Sequence, residues 1–319
     1  MKFIDPSFDI LTDISDGGIK ELKHIERCGR VSYRSEDKIT EDGESAKKFV
    51  AMLIKNGHES VLEHGSLTVE FTVDRAIANE LVRHRMASFT QESTRYCNYS
   101  KDKFGGDLTY ILPFYLKHGY DVYNRIMEEM ENDVEYNSSE LYSDTVFDYI
   151  YYKRSNRAID DWHDWWDDRS NRAIDDWHDW WDDLCKFHNY YSALDEASKS
   201  YLTTVTAPGY FTDMEGVVPE STPEEARFLL PLGLATKIVV TANYREWRHI
   251  FKLRCEKHAH PEMRRIMCAL WSVLNVKIPV VFEDIRPLVN DYLGLDDSRT
   301  CGDAAYIACN YYRKEKGWE

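Results

Sequence analysis

Between Leu67 and Val73 the chain alternates strictly: Leu67, Val69, Phe71 and Val73 are apolar, while Thr68, Glu70 and Thr72 are polar. A period of two is the signature of a β-strand with one face in a core. A helix would instead repeat its apolar positions every three or four residues. The strand runs almost directly into residues 76–85, which read as a helix carrying Ile77, Leu81 and Val82 inward. A second apolar, β-branched run covers residues 236–243, and the spacing predicts a helix over 244–258 immediately after it. Residues 19–28 and 45–56 also read as helices, the second ended by Gly57. Ser60 followed by Glu63 fits a capping box. Thr222, Pro223 and Glu225 form another capping signal, opening a helix through Arg227 to Leu230. Pro261 either starts a new helix at its first position or kinks a continuous one. Ile266, Met267, Leu270 and Trp271 follow it as predicted core, and the tail beyond Asp291 reads as peripheral.

Charge narrows the partners. The 319 residues carry a formal net charge of -16, which argues against nucleic acid or an anionic membrane surface as bulk partners. No run reaches the ~18 apolar residues of a membrane helix, and the first residues lack the basic and apolar regions of a signal peptide. Seven scattered cysteines with no CxxC pair fit reduced thiols and a cytoplasmic location.

Residues 101–205 differ from their surroundings: they are acidic, rich in tyrosine and tryptophan, and show no clean core period. They contain a perfect tandem duplication, residues 154–168 repeated as 169–183 (RSNRAIDDWHDWWDD). Each copy holds two arginines and five aspartates, so the pair supplies six of the sixteen net negative charges. Two copies are too few for a solenoid, and a fifteen-residue shift rotates a helical face by about 60°. The expected organisation is one domain over 1–319 with a surface insertion at about 101–205. Exposed tryptophans as an interface anchor are the alternative.

Against the acidic background, the run Arg83-His84-Arg85-Met86-Ala87-Ser88-Phe89-Thr90-Gln91-Glu92-Ser93-Thr94-Arg95-Tyr96 stands out. Guanidinium forks match phosphate oxygens two at a time, so a small polyanionic ligand is expected here. Arg83 and Arg85 diverge by about 200° on a helix. Either the helix ends and a loop wraps the anion, or the two serve different groups, across a subunit interface for example. Farther on, Trp247, Ile250, Phe251, Arg254 and His258 share one stripe. Arg254 therefore points among apolar neighbours and should meet an anion or a strong acceptor, a structural carboxylate included. Arg245 and His249 form an adjacent i,i+4 pair, with Asn243 ahead of them. His58 reads equally as a capping histidine or a ligand contact. His258, His260 and Glu262 do not form a good metal set, because Pro261 interrupts the geometry. Ser93 with His84 lacks the nucleophile elbow of a hydrolase. There is no Rossmann or Walker pattern.

The basic run resembles the signature of the flavin-dependent thymidylate synthases: Arg-His-Arg, two residues, Ser, then a short loop closing on Ser-x-Arg-Tyr. Four further segments are similar in the same order: Arg30-Val31-Ser32; Gly57-His58-Glu59-Ser60 with Glu63-His64; Glu225-Ala226-Arg227 before Leu-Leu-Pro; and Asn243 to His249 through Arg254 and His258-Ala259. The similarity covers roughly 1–100 and 215–285.

The resemblance implies an α+β fold with a mixed central β-sheet flanked by helices, and a homotetramer whose active sites are shared between subunits. It implies bound FAD, with dUMP as substrate and NADPH and 5,10-methylenetetrahydrofolate as co-substrates. It places Arg254, His58 and Ser93 at the catalytic centre, Ser93 in binding more than in chemistry. The implied cofactor set is Ser32, His58, Ser60, Glu63, Arg83, His84, Arg85, Asn243, Arg245, His249 and His258. The implied substrate set is Glu80, Arg83, Gln91, Glu92, Ser93, Thr94, Arg95, Arg227 and Arg254; no metal is expected. Thr90-Gln91 replaces the family's common Asn-Glu, and Glu80 stands where a neutral amide donor is usual, free to pair with Arg83 or Arg254. The competing readings are a nucleotide- or flavin-binding protein without turnover and an anion-dependent hydrolase.

Overall fold

The strict alternation becomes the second strand of a four-stranded sheet. The computed structural model describes residues 1–101, 103, 106–133, 147, 149–150, 173–206, 222–285 and 298–317, so the first copy of the duplication lies outside the described residues. In chain order the elements are β1 (Lys2–Ile4), β2 (Ser7–Ile10), α1 (Ile19–Arg30), α2 (Glu44–Lys55), β3 (Ser66–Asp74), α3 (Arg75–Leu81), β4 (Ala87–Gln91) and β5 (Thr109–Ile111). Then come α4 (Lys117–Asn132), α5 (Ala173–Thr206), β6 (Ala235–Asn243), α6 (Tyr244–Arg254), α7 (Pro261–Lys277) and α8 (Ser298–Lys316).

Strands β2, β3, β6 and β4 pair in that order, antiparallel throughout, while β1 and β5 form a separate parallel pair. The register places Leu67 opposite Ala242, Val69 opposite Val240 and Phe71 opposite Ile238, and all six side chains are buried. The middle of one sheet face is thus apolar, and helices α6 and α7 supply Trp247, Ile250, Phe251, Ile266, Met267 and Leu270 to the same core. Trp247 also donates its indole N–H to the Leu67 carbonyl at 2.9 Å, which satisfies the one polar atom the ring brings inside.

Helix ends follow local chemistry. Helix α2 closes on a Schellman motif: His58 N–H bonds Leu53 O at 2.8 Å and Gly57 N–H bonds Ile54 O at 3.0 Å. Gly57 takes φ +70°, which a glycine adopts without strain. Pro261 occupies the first turn of α7, with the His260 side chain accepting from Glu262 N–H, so it begins a helix and kinks none.

Several sequence expectations are corrected. Helix α3 stops at Leu81, and Val82 is 37% exposed; residues 82–86 must reverse the chain so that Ala87 can pair with Ala242. Ser60 caps nothing, because His58 holds the N-cap position and residues Glu59–His64 wind as a 3-10 turn. The helix expected to reach Leu230 has one α-turn, Pro223–Ala226, before a 3-10 turn, Arg227–Leu229. Helix α6 ends at Arg254, which leaves His258 beyond it. The tail is not peripheral: Ala304, Ile307 and Ala308 of α8 are buried in the main core, a stripe with helical spacing.

The chain divides into two compact units, Met1–Ile111 with Val205–Glu319, and Leu112–Thr204. The second has a core of its own, in which Val122, Ile126 and Met130 recur every four residues and pack with Tyr149, Ile150 and Leu184. That segment therefore does carry a core period, hidden in the sequence by its many tyrosines. Within this unit the second copy of the duplication, from Ala173 onward, is the start of α5. Among the described residues, no helix is long and apolar enough to cross a membrane.

Candidate functional site

Two strand-to-helix junctions organise the candidate residues. Asp74 closes β3 and caps α3 by accepting from Ile77 N–H at 2.8 Å; Asn243 closes β6 and caps α6 by accepting from Glu246 N–H at 2.8 Å. Each cap satisfies a backbone donor that the first turn would leave unpaired. The turn after α3 is then held by Arg83 N–H to Glu80 O and His84 N–H to Leu81 O. It brings His84 against α6.

There Arg254 meets its acceptors. Its Nη1 donates to Glu80 Oε2 at 2.8 Å, Nη2 to the Glu80 carbonyl at 3.3 Å, and Nε to His84 Nε2 at 2.9 Å. Because Nε2 accepts, His84 is neutral and carries its proton on Nδ1. Burial, the Arg254 charge and nearby His249 together push its imidazole down to about 4. The contact from Nδ1 to Glu246 Oε1 at 3.8 Å is therefore no ion pair, and burial pushes the Glu246 carboxyl up. Arg254 is not sealed among apolar side chains: it is 21% exposed and Glu80 is 36% exposed. Of the two arginines Glu80 could pair with, the structure selects Arg254.

A second group surrounds the loop after β4. Ser93 Oγ accepts the Arg95 backbone N–H at 3.3 Å. Among the described residues no histidine or carboxylate hydrogen-bonds that hydroxyl, so nothing is seated to take its proton. Arg95 makes a two-point contact with Glu224, at 2.8 and 3.4 Å. Glu92 accepts from the Tyr99 hydroxyl at 2.8 Å, while Gln91 reaches Thr236 at 3.5 Å. Arg227 lies over its own neighbour's ring, Phe228, at 5.5 Å.

A third group links the 3-10 turn Glu59–His64 to α6. Arg245 donates to Glu63 at 2.6 Å and makes no bond to His249. One turn on, Arg248 is 1% exposed, forks onto Asp284 at 2.6 and 2.7 Å, contacts Glu59 at 2.9 Å and donates to the Val281 carbonyl. Ser32 donates to the Gly29 carbonyl at 2.8 Å. His58, Ser60, Arg83, Arg85, His249 and His258 are all exposed; Thr94 is half-buried.

The distribution of partners sorts the arginines. Arg95, Arg245, Arg248 and Arg254 each hold a carboxylate. Among the described residues Arg83, Arg85 and Arg227 have none. In a chain with net charge -16, cations left without counter-ions fit an anion such as a phosphate or pyrophosphate. The donor chemistry thus fits the phosphates of a nucleotide and of a flavin dinucleotide. No group of three or more His, Cys, Asp or Glu able to hold a metal ion occurs among the described residues.

Arg248 escaped the sequence reading, although Tyr244, Arg248, Phe251 and Cys255 recur at spacings of four, three and four. An arginine in that stripe is the signal of a buried, paired cation. Glu246, facing His84, and Glu224, holding Arg95, were visible only once the fold brought them across.

The profile of the family described as "Thymidylate synthase complementing protein" matches residues 19–280. A flavin-dependent thymidylate synthase of Pyrococcus furiosus is 25% identical over 268 residues, covering 83% of this chain and 74% of its own. One from Mycobacterium tuberculosis is 25% identical over 288 residues, covering 89% and 86%. Among solved structures, a UMP/dUMP methylase (PolB) from Streptomyces cacaoi bound with 5-Br dUMP superposes with TM-score 0.54 at 16% identity, covering 90% of this chain and 97% of that one. The last likeness carries the fold alone.

Proposed function

This chain belongs to the flavin-dependent thymidylate synthase family, a family of methyltransferase enzymes, and from that premise we propose that it converts dUMP to dTMP. In this reading 5,10-methylenetetrahydrofolate supplies the one-carbon unit, NADPH the electrons, and FAD is the bound cofactor. The observation that carries it is the set of arginines without a carboxylate partner among the described residues, Arg83, Arg85 and Arg227, together with the paired Arg254. The phosphate of dUMP falls to Arg83 and Arg227, with Ser93, Thr94 and Arg95 lining the loop beside it and Gln91 and Glu92 at its start. Arg95 exchanges Glu224 for the ligand at little cost, since both partners are half exposed to solvent and such pairs are weak.

When bound, the flavin supplies reducing equivalents from NADPH for the pyrimidine C5. Ser32, His58, Ser60, Glu63, Arg85, Asn243, Arg245, His249 and His258 form the surface assigned to hold it, with His84 behind them. His58 is offered at the surface by the Schellman turn before it. Glu63 fixes Arg245, and His84 fixes Arg254. A fixed cation near the pyrimidine stabilises negative charge developing on the ring without reorganising. Arg254 is therefore the first catalytic assignment, and Ser93 a binding one. Exposed candidates from separate segments agree with a homotetramer in which a second subunit completes each site, in the cytoplasm.

The test is spectroscopic. The purified chain should retain a yellow chromophore that NADPH bleaches under anaerobic conditions. A colourless protein that does not take up FAD would reject the reading.

A further inference from the structure

We propose that Tyr99 and Arg75 are positioning residues: through Glu92 they close the base of the loop after β4 and hold Ser93 and Arg95 in the arrangement that receives the nucleotide. The inference rests on the reading above and adds to it two side chains that touch neither substrate nor cofactor.

The loop leaves β4 at Glu92 and returns to the core at Tyr99, seven positions later. Glu92 is held at both its backbone and its side chain. Its N–H extends the β4–β6 pairing to the Lys237 carbonyl at 2.9 Å, and its carboxylate accepts from the Tyr99 hydroxyl at 2.8 Å. Tyr99 is 6% exposed, so the contact is anchored in the interior. Arg75 supports both ends of the loop: its Nη2 donates to the Glu92 carbonyl at 3.3 Å and to the Tyr99 hydroxyl at 3.4 Å. Arg75 is itself rooted, because its backbone N–H bonds the Leu232 and Leu234 carbonyls at 2.9 and 3.2 Å. The hydroxyl thus accepts from a cation and donates to an anion, the two roles open to a phenol.

Between those fixed ends the chain folds on Ser93. The Tyr96 and Cys97 N–H groups bond the Ser93 carbonyl at 3.3 and 3.0 Å, and the Arg95 N–H bonds its hydroxyl at 3.3 Å. Arg95 and Tyr96 are exposed. Burial and the Glu92 charge push the Tyr99 hydroxyl up, so it stays protonated and keeps donating. A loop whose ends are pinned has less freedom to lose when a ligand binds. Releasing the pin therefore weakens binding and leaves the chemical step alone, which reads as a higher KM at the same kcat. Glu92, placed in the substrate set by the resemblance, acts here by facing inward to Tyr99.

The experiment measures kcat, and KM for dUMP, NADPH and 5,10-methylenetetrahydrofolate, in the FAD-loaded full chain. Wild type, Tyr99→Phe, Glu92→Gln and Arg75→Met are compared. Tyr99→Phe keeps the ring in the core and removes only the hydroxyl. The expected result is a rise in KM for dUMP of about tenfold, as a lost hydrogen bond to a charged acceptor gives, with kcat and the other two KM values within about twofold. Glu92→Gln, whose amide carbonyl still accepts from Tyr99, should stay close to wild type. Arg75→Met keeps the stem and should raise KM for dUMP by about threefold, since its two contacts are long; it decides the matter if Tyr99→Phe does not fold.

An unchanged KM for dUMP in Tyr99→Phe overturns the proposal. So does a rise of all three KM values together, which marks a general structural role, or a fall in kcat at constant KM. A greater loss in Glu92→Gln than in Tyr99→Phe means that Glu92 meets the substrate itself, and overturns it too. Failure of the wild-type holoprotein to turn over dUMP overturns the proposed function, together with this inference.

Discussion

Arg248 gives the sharpest test of how the site is held. Replacing it with Met keeps the unbranched stem in the core and removes the charged head, which has two oxygens of Asp284, one of Glu59 and the Val281 carbonyl as partners. Breaking a buried ion pair by deleting one partner costs roughly 3–5 kcal/mol. Here the abandoned carboxylates are 22% and 45% exposed, so water reaches them and the cost falls toward the lower end, about 3 kcal/mol. Urea unfolding followed by circular dichroism should show that loss at an unchanged m-value. The network bridges Glu59, next to His58 and Ser60, and α6, which carries Arg245 and His249, so flavin affinity should fall along with stability. Asp284→Asn in the Arg248→Met background should add little, giving a coupling of 1 kcal/mol or more by order of magnitude. A midpoint within about 0.5 kcal/mol of wild type, or strict additivity of the two changes, would show that the network is not the clamp described.

Three further outcomes are expected. Arg254→Ala should abolish turnover with the far-UV spectrum retained; wild-type turnover would remove Arg254 from the chemistry. His84 has a folded value of about 4, below its ordinary 6.5, so the unfolded chain binds the proton more tightly. Its contribution is complete above pH 6.5 and is lost as pH falls toward 4, on the order of 3 kcal/mol in all. The stability advantage of wild type over His84→Asn should shrink across that interval, and parallel pH profiles would contradict the assignment. Deleting residues 169–183 leaves the identical fifteen residues in front of Leu184, so α5 can re-form, and activity should be unchanged; a large drop in activity would make the duplicate functional.

Sequence periodicity located what depends on local chemistry. The alternation at 67–73 became β3, residues 19–28 lie inside α1, and Gly57 ended α2. Helix ends set by tertiary demands were not legible. Nothing near Leu81 says stop, and the helix ends there because β4 must pair with β6 from Ala87 onward. The site was legible as a list of residue types and not as a set of partners. Arg254 was recognisable as a cation in need of an acceptor, yet the choice of Glu80 over a ligand, and the neutral His84 behind it, required the turn at 82–86. Arg248 left a trace in its stripe spacing, whereas Glu224 left none, because its contact with Arg95 spans 129 positions.

The central claim is best tested by turnover. Purified protein supplied with FAD, NADPH, 5,10-methylenetetrahydrofolate and dUMP should form dTMP, and omission of any one of NADPH, folate or dUMP should abolish it. A protein that holds FAD and is reduced by NADPH but forms no dTMP would contradict the account and leave a flavin- and nucleotide-binding protein in its place.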